Sequence, residues 1–248
     1  MKKFELTSEF ITNCFGTKLF RIKALIEFGN VNTGELGGYV EKEENLSQSG
    51  NAWVFGNAEV SGDAEVFGDA EVSGNARVFG NAWVSGNARV SGNAEVSGDA
   101  RVSGDARVFG DAEVSGNAEV SGDARVFGDA EVSGNARVFG NARVFGDAEV
   151  SGDAEVFGDA EVSGNADYAI AKGFGSEFRT TTFFKTKDES IGVKCGCFYG
   201  TLDEFRQKVK ETHKDSKKAV EYLMLADLME YRFLGTVGEN PIDEREGK

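Results

Sequence analysis

GDARVSGDARVFGDAEVS, residues 98–115, decides the fold. It is the six-residue unit Gly-[Asn/Asp]-Ala-[Glu/Arg/Trp]-Val-[Phe/Ser] written three times, and that unit runs without insertion from Gly50 to Ser163, 114 residues or 19 copies. An uninterrupted short period marks a solenoid, in which each repeat buries its apolar residues only against its neighbours. Within a unit Ala and Val alternate with variable residues, so Ala and Val point inward and the other two outward, as on a strand. Gly-[Asn/Asp] makes the corner. Glycine enters positive φ without steric penalty, and Asn and Asp tolerate it next best while bonding to nearby backbone. Each hexad is therefore one short strand plus one turn.

The aliphatic residue at i with a small residue at i+4, as in Val60 with Ala64 and Val66 with Ala70, resembles the hexapeptide-repeat left-handed parallel β-helix. The resemblance implies an all-β solenoid: a triangular left-handed parallel β-helix with three hexads, and so eighteen residues, per coil. The 19 units then make a little over six coils, about 30 Å long with strands stacked about 4.8 Å apart. Handedness follows from the resemblance alone, since it opposes the usual crossover rule. Three Val per coil supply the axial core, each contributing about 1.5–3 kcal/mol on burial. Open ends would expose strand edges, so both ends require caps.

Folded at three hexads per coil, the outward positions sort into three columns. The first carries Arg89, Arg107, Arg125 and Arg143 in succession, with Phe109, Phe127 and Phe145 beside the last three; Trp53/Phe55 and Glu71/Ser73 precede them. The second carries Glu59 and Arg77/Phe79, then Glu95, Glu113, Glu131 and Glu149, each followed by Ser. The third is mixed, running Glu65, Trp83, Arg101, Glu119, Arg137 and Glu155. Like charges one strand apart repel, so the two sorted ladders are not what isolated stability favours. The Arg/Phe column suits an acidic or aromatic protein surface, including the Glu column of another copy. The resembled family commonly assembles through solenoid faces as trimers, which implies a homo-oligomer. The same letters also show order at every second hexad, the trace that recent duplication would leave, an alternative origin for the ladders.

The chain has 248 residues with 42 acidic and 27 basic side chains, a net charge of −15. The repeats hold 10 Asp, 10 Glu and 7 Arg, so −13 of that charge belongs to residues 50–163. An acidic chain repels phosphate, which argues against direct nucleic-acid binding. Rows of carboxylates also resemble the charge pattern of a nucleic acid, the basis of a second reading: a phage-encoded inhibitor of a host nucleic-acid enzyme or defence protein. The plainer reading of the charge is solubility. No apolar h-region or membrane-length apolar run occurs, so a cytoplasmic location is expected. Three cysteines, Cys14, Cys195 and Cys197, form no disulfide framework and read as reduced thiols.

The organisation expected is an N-terminal β cap over 1–49, the solenoid over 50–169, an α+β module over 170–234 and a loose tail over 235–248. Phe20 to Phe28 reads as a strand, and Glu44–Ser49 as a degenerate first hexad in phase with the rest. Phe178–Thr186 and Ile191–Tyr199 read as a hairpin, with Ile191, Val193, Cys195, Cys197 and Tyr199 on one face. Cys195 and Cys197 are expected to be buried and apolar; a Cys-x-Cys pair with His213 is too small a set for zinc. Thr201-x-x-Glu204 is a capping box that opens a helix burying Leu202, Phe205 and Val209. A second helix, about Ser216–Phe233, buries Ala219, Tyr222, Leu223, Ala226 and Met229. The flanks Gly37–Ser47 and Cys195–Leu202 resemble those of hexapeptide-repeat proteins of bacteria and their phages, which brings no assigned activity.

The resembled fold also hosts acyltransferases and γ-class carbonic anhydrases, which work through a histidine base or three zinc-bound histidines. This chain has no histidine among its repeats and a single one, His213, in the helical module. No catalytic residue, cofactor or metal is expected, and an acyltransferase is kept only as a third reading. The expected function is a non-enzymatic scaffold that presents charge-patterned faces to a protein.

Overall fold

The computed structural model describes residues 2–175 and 177–235. They divide into two compact units, Met1–Asp159 and Ala160–Lys248. The expected tail lies outside the described residues except for Gly235.

In the first unit every hexad forms a two- to four-residue strand followed by a turn, and up to the last coil each strand pairs in parallel with the strand three hexads further on. Three parallel sheets result, and the chain visits them in rotation. Every repeat Ala and Val has no exposed surface, so the interior is a column of Val flanked by Ala. The backbone ladder is regular; Arg107 N–H donates to Ala124 O and Asp111 N–H to Gly128 O, both at 2.9 Å.

The corners explain the glycine. Gly110 has φ +81°, and a Cβ there would lie 3.0 Å from Gly128 N, so both the left-handed backbone and the close coil-to-coil approach exclude a side chain. The next residue stacks in a side-chain ladder: Asn93 Nδ2 donates to Asp111 Oδ1 at 2.8 Å, and Asn87 to Asp105 and Asn141 to Asp159 repeat the contact at 3.0 and 3.1 Å.

Ahead of the repeats, β1 (Phe4–Thr12) and β2 (Lys18–Ala24) form an antiparallel hairpin, and β3 (Leu36–Val40) pairs antiparallel with β2 and parallel with Glu59–Val60. Phe20–Phe28 is thus a strand only to Ala24, because Gly29 turns the chain and Phe28 bridges back to Val31. Glu44–Ser49 is not in phase with the hexads. Leu46 pairs with Val66, and Val40 with Val60, so this coil is longer than three hexads by two positions and Leu46 takes the valine position.

This end is sealed by side chains that stand in for a missing coil. The fully buried Asn45 donates through Nδ2 to Gly62 O and Ala64 O at 3.0 and 2.8 Å. Lys3, 2% exposed, donates through Nζ to Ala52 O at 2.8 Å. Gln48 Oε1 accepts from Lys3 N at 2.7 Å. Carbonyls that would otherwise be orphaned at a buried sheet edge are thereby paired. Burial of the Lys3 amine pulls its pKa down to about 8 against the attraction of Asp69. Trp53, expected to face outward, has no exposed surface: Phe4 and Phe28 cover it edge-on at 6.2 and 5.3 Å.

The second unit carries a four-stranded antiparallel sheet, Tyr168–Phe174, Arg179–Lys185, Ile191–Cys195 and Phe198–Thr201 in sequential order. Two helices, α1 (Leu202–His213) and α2 (Lys217–Leu234), pack against it around Phe183, Val193, Phe205, Tyr222 and Ala226. The capping box is formed, with Glu204 N–H donating to Thr201 Oγ1 and Thr201 N–H to Glu204 Oε2. The expected strand Ile191–Tyr199 breaks at Gly196, φ +56°, so Cys195 and Tyr199 fall on different strands and share no continuous face. Cys197 is exposed in that turn and Cys195 half-buried, which corrects the expectation of buried thiols; all three cysteines are free. On α2, Leu225 is buried at 7% and Leu223 is only partly buried at the edge of the core. Arg206 on α1 ties the helices together through Asp227 at 2.8 Å and Glu230 at 2.6 Å.

Candidate binding faces

The three-hexad register aligns the outward side chains as the columns require. On the first face Arg89 pairs with Arg107, Arg107 with Arg125, and Arg125 with Arg143, each on adjacent parallel strands. Strands stack about 4.8 Å apart, so four guanidinium stems project from one line. All four arginines are exposed. Glu71 answers Arg89 at 3.4 Å. Among the described residues Arg107 and Arg125 have no carboxylate within ion-pair distance.

The phenylalanines beside them form a second line. Phe109 and Phe127 stack with centroids 4.9 Å apart and planes 1° from parallel; Phe127 and Phe145 follow at 5.1 Å and 6°. Each ring is half-buried. The in-register ladder forces this face-to-face stack, and it leaves an apolar strip beside the cationic one.

On the second face Glu95, Glu113, Glu131 and Glu149 stack in register. Arg77 pairs with Glu95, and the hairpin turn of the cap lies over that end: Phe15 meets Phe79 at 5.7 Å and Arg77 Nη1 donates to Cys14 Sγ at 3.3 Å. Burial there raises the pKa of Glu59, with Arg77 opposing. Beyond the hairpin, Glu113 and Glu131 have no cationic partner among the described residues. The Ser that follows each Glu keeps this side low and flat.

The third face compensates itself. Arg101, Glu119, Arg137 and Glu155 alternate along adjacent strands. Arg137 reaches Glu119 at 3.0 Å and Glu155 at 3.9 Å, and Arg101 lies over the Trp83 ring at 5.0 Å.

His213 belongs to the second unit. There Arg179, Cys195, Phe198, Phe205, His213 and Tyr222 line a cavity of about 310 Å³. His213 stacks on Tyr222 at 5.7 Å, and burial together with Cys195 pushes the Tyr222 hydroxyl up to about 12. The sequence spacing of Cys195, Cys197 and His213 did not signal that they line one cavity; the break at Gly196 and the end of α1 bring them there. Among the described residues no three His, Cys, Asp or Glu side chains are grouped to hold a metal ion. Nor, among those residues, is any helix long and apolar enough to cross a membrane.

Three parallel sheets visited in rotation by a six-residue repeat define a β-solenoid repeat protein. The repeats are similar in sequence to the YdcK β-solenoid repeat, which matches residues 70–86, 82–98, 100–116, 130–146 and 136–152. No curated protein matches the chain.

Proposed function

We propose that the chain is a non-enzymatic scaffold whose first face docks an acidic protein surface, with the glutamate face of a second copy as the nearest candidate. Arg89, Arg107, Arg125 and Arg143 supply the charge, and Phe109, Phe127 and Phe145 the apolar contact. The observation that carries the reading is the pair Arg107 and Arg125, stacked like on like and without carboxylates of their own. Holding such a pair in register opposes stability by a few tenths of a kcal/mol, up to about 1. A complementary surface turns that opposition into attraction and fixes register and orientation. The Glu113–Glu131 stretch has the same rise per strand and the opposite sign.

The test mixes two variants. R107E/R125E and E113R/E131R are each expected to form smaller assemblies than wild type in light scattering, and an equimolar mixture to regain the wild-type size. Failure of the mixture to regain that size would remove the Glu face as the acceptor. A wild-type chain that stays monomeric and captures no acidic protein would remove the Arg/Phe face as a site.

One observation favours the second reading, a phage-encoded inhibitor acting through an acidic surface. The corner row Asp111, Asp129 and Asp147 contains three consecutive carboxylates, and among the described residues Asp111 alone of the three accepts from an Asn, Asn93. This row runs along the solenoid axis at one charge per about 4.8 Å, against one per about 1.7 Å in duplex DNA. Capture of a DNA- or RNA-binding protein, displaced by nucleic acid and by salt, supports that reading; purely homotypic association opposes it.

A further inference from the structure

Helix α2 exposes a stripe that its own unit does not cover. Val220, Met224, Leu228, Tyr231 and Leu234 are 45–58% exposed, and at 100° per residue they fall within an arc of about 120°; the same arc holds two charged residues, Asp227, drawn to Arg206 of α1 at 2.8 Å, and Lys217, paired with Glu221 at 3.5 Å. The opposite arc, Ala219, Tyr222, Leu225, Ala226 and Met229, is buried in the core. The 18-residue helix is about 27 Å long, so the stripe presents on the order of 450 Å² of apolar surface. That is within the range of about 300–600 Å² of a monomer's largest patch, which is often a functional one.

We infer that α2 is a homodimer contact in which two copies of the helix pair antiparallel about a two-fold axis near Ala226. Charge placement selects this occupant. Glu221 and Arg232 lie on the same edge of the stripe, at about 100° and 120° from Val220, eleven residues apart. In an antiparallel pair, residues on the same edge of the two helices meet. Centring the pair so that Met224 meets Leu228 of the other copy also sets Glu221 opposite Arg232, and the symmetry makes the contact twice. Two such stripes with their flanking side chains bury about 1,200 Å², the lower end of specific interfaces. The rest of the chain offers a poor substitute: residues 236–248 contain only Val237 and Ile242 as apolar aliphatics against four acidic residues.

This contact is independent of the Arg/Phe face, so the test is run on the full chain in the R107E/R125E background. Sedimentation is expected to show a monomer–dimer equilibrium. M224E/L228E weakens it at least about a hundredfold. E221R alone and R232E alone each weaken it about tenfold, because each converts two attractive contacts into repulsions, and E221R/R232E together restore it. The substituted positions are solvent-facing, and unchanged circular dichroism confirms folding. A background chain that is monomeric at all concentrations overturns the inference, as does single-swap weakening without rescue by the double swap.

Discussion

The first and third faces of the solenoid are built from the same hexads on the same backbone, yet they treat charge in opposite ways. On the third face Arg101, Glu119, Arg137 and Glu155 alternate, and Arg137 sits between two carboxylates. On the first face Arg107, Arg125 and Arg143 follow one another. Backbone pairing, core valines and corner glycines are shared, so the difference belongs to the outward residue alone. A face that alternates neutralises itself and asks nothing of its surroundings. A face that repeats one sign stores repulsion that salt, or an oppositely charged surface, relieves. The proposed function rests on that contrast.

The comparison presumes a backbone common to both faces, and breaking that backbone has the largest expected effect. Gly110→Val places a β-branched residue at φ +81° with its Cβ 3.0 Å from Gly128 N. It should destabilise the first unit by about 3 kcal/mol or more, lowering its thermal midpoint by about 10 °C. A midpoint indistinguishable from that of wild type would show that the corners do not require glycine.

The cap comes next and touches neither compared face. Lys3→Met leaves Ala52 O without its donor and should cost about 1–3 kcal/mol. Lys3 also carries a pH signature. Its amine sits at about 8 in the folded chain and near 10.4 when unfolded, so across that window the unfolded chain binds more protons. Stability should therefore rise as pH climbs from about 8 towards 10. Denaturant titrations at pH 7 and 9.5 should show that gain in wild type and its loss in Lys3→Met. An equal gain in both would place its origin elsewhere.

A smaller effect, of opposite sign on the two faces, sharpens the contrast itself. Arg125→Glu sets a carboxylate between Arg107 and Arg143 and should stabilise the isolated chain by about 0.5–1 kcal/mol. Arg137→Glu sets one between Glu119 and Glu155 and should destabilise by a similar amount. Equal shifts in thermal midpoint would mean that charge order along a face does not matter. Smallest of all, raising salt to about 1 M, where screening acts within about 3 Å, should shrink the difference between those two variants towards zero.

The central part of the fold was legible in the sequence because its determinants are local and repeated. Glycine at the corner and Val and Ala inward are read from the repeat itself, and closure every three hexads, which the family resemblance implies, then places Arg107 beside Arg125. The ends were less so. Leu46 occupies the valine position although its hexad phase assigns it to alanine, because the cap lengthens its coil. Trp53 shares its repeat position with Trp83, yet it is buried and Trp83 is 42% exposed; the difference lies in Phe4 and Phe28, which are distant in sequence. Lys3 reads as an exposed N-terminal charge, and only its place under the first coil makes it a donor to backbone carbonyls. In the second unit the strand past Cys195 broke at a glycine whose φ is positive, a choice that alternation of apolar residues does not encode. The exposed stripe on α2 was hidden by the same limit. A helix apolar on two sides shows which residues are hydrophobic without showing which side meets the core, as the exchange of Leu223 for Leu225 illustrates.

The central claim, that the first face holds its arginines in register for an acidic surface at some expense to the isolated chain, is tested most directly by Arg125→Glu alone. Thermal unfolding and light scattering on the same samples should show a higher midpoint and weaker association than wild type. A higher midpoint with association unchanged, or a lower midpoint, would contradict it.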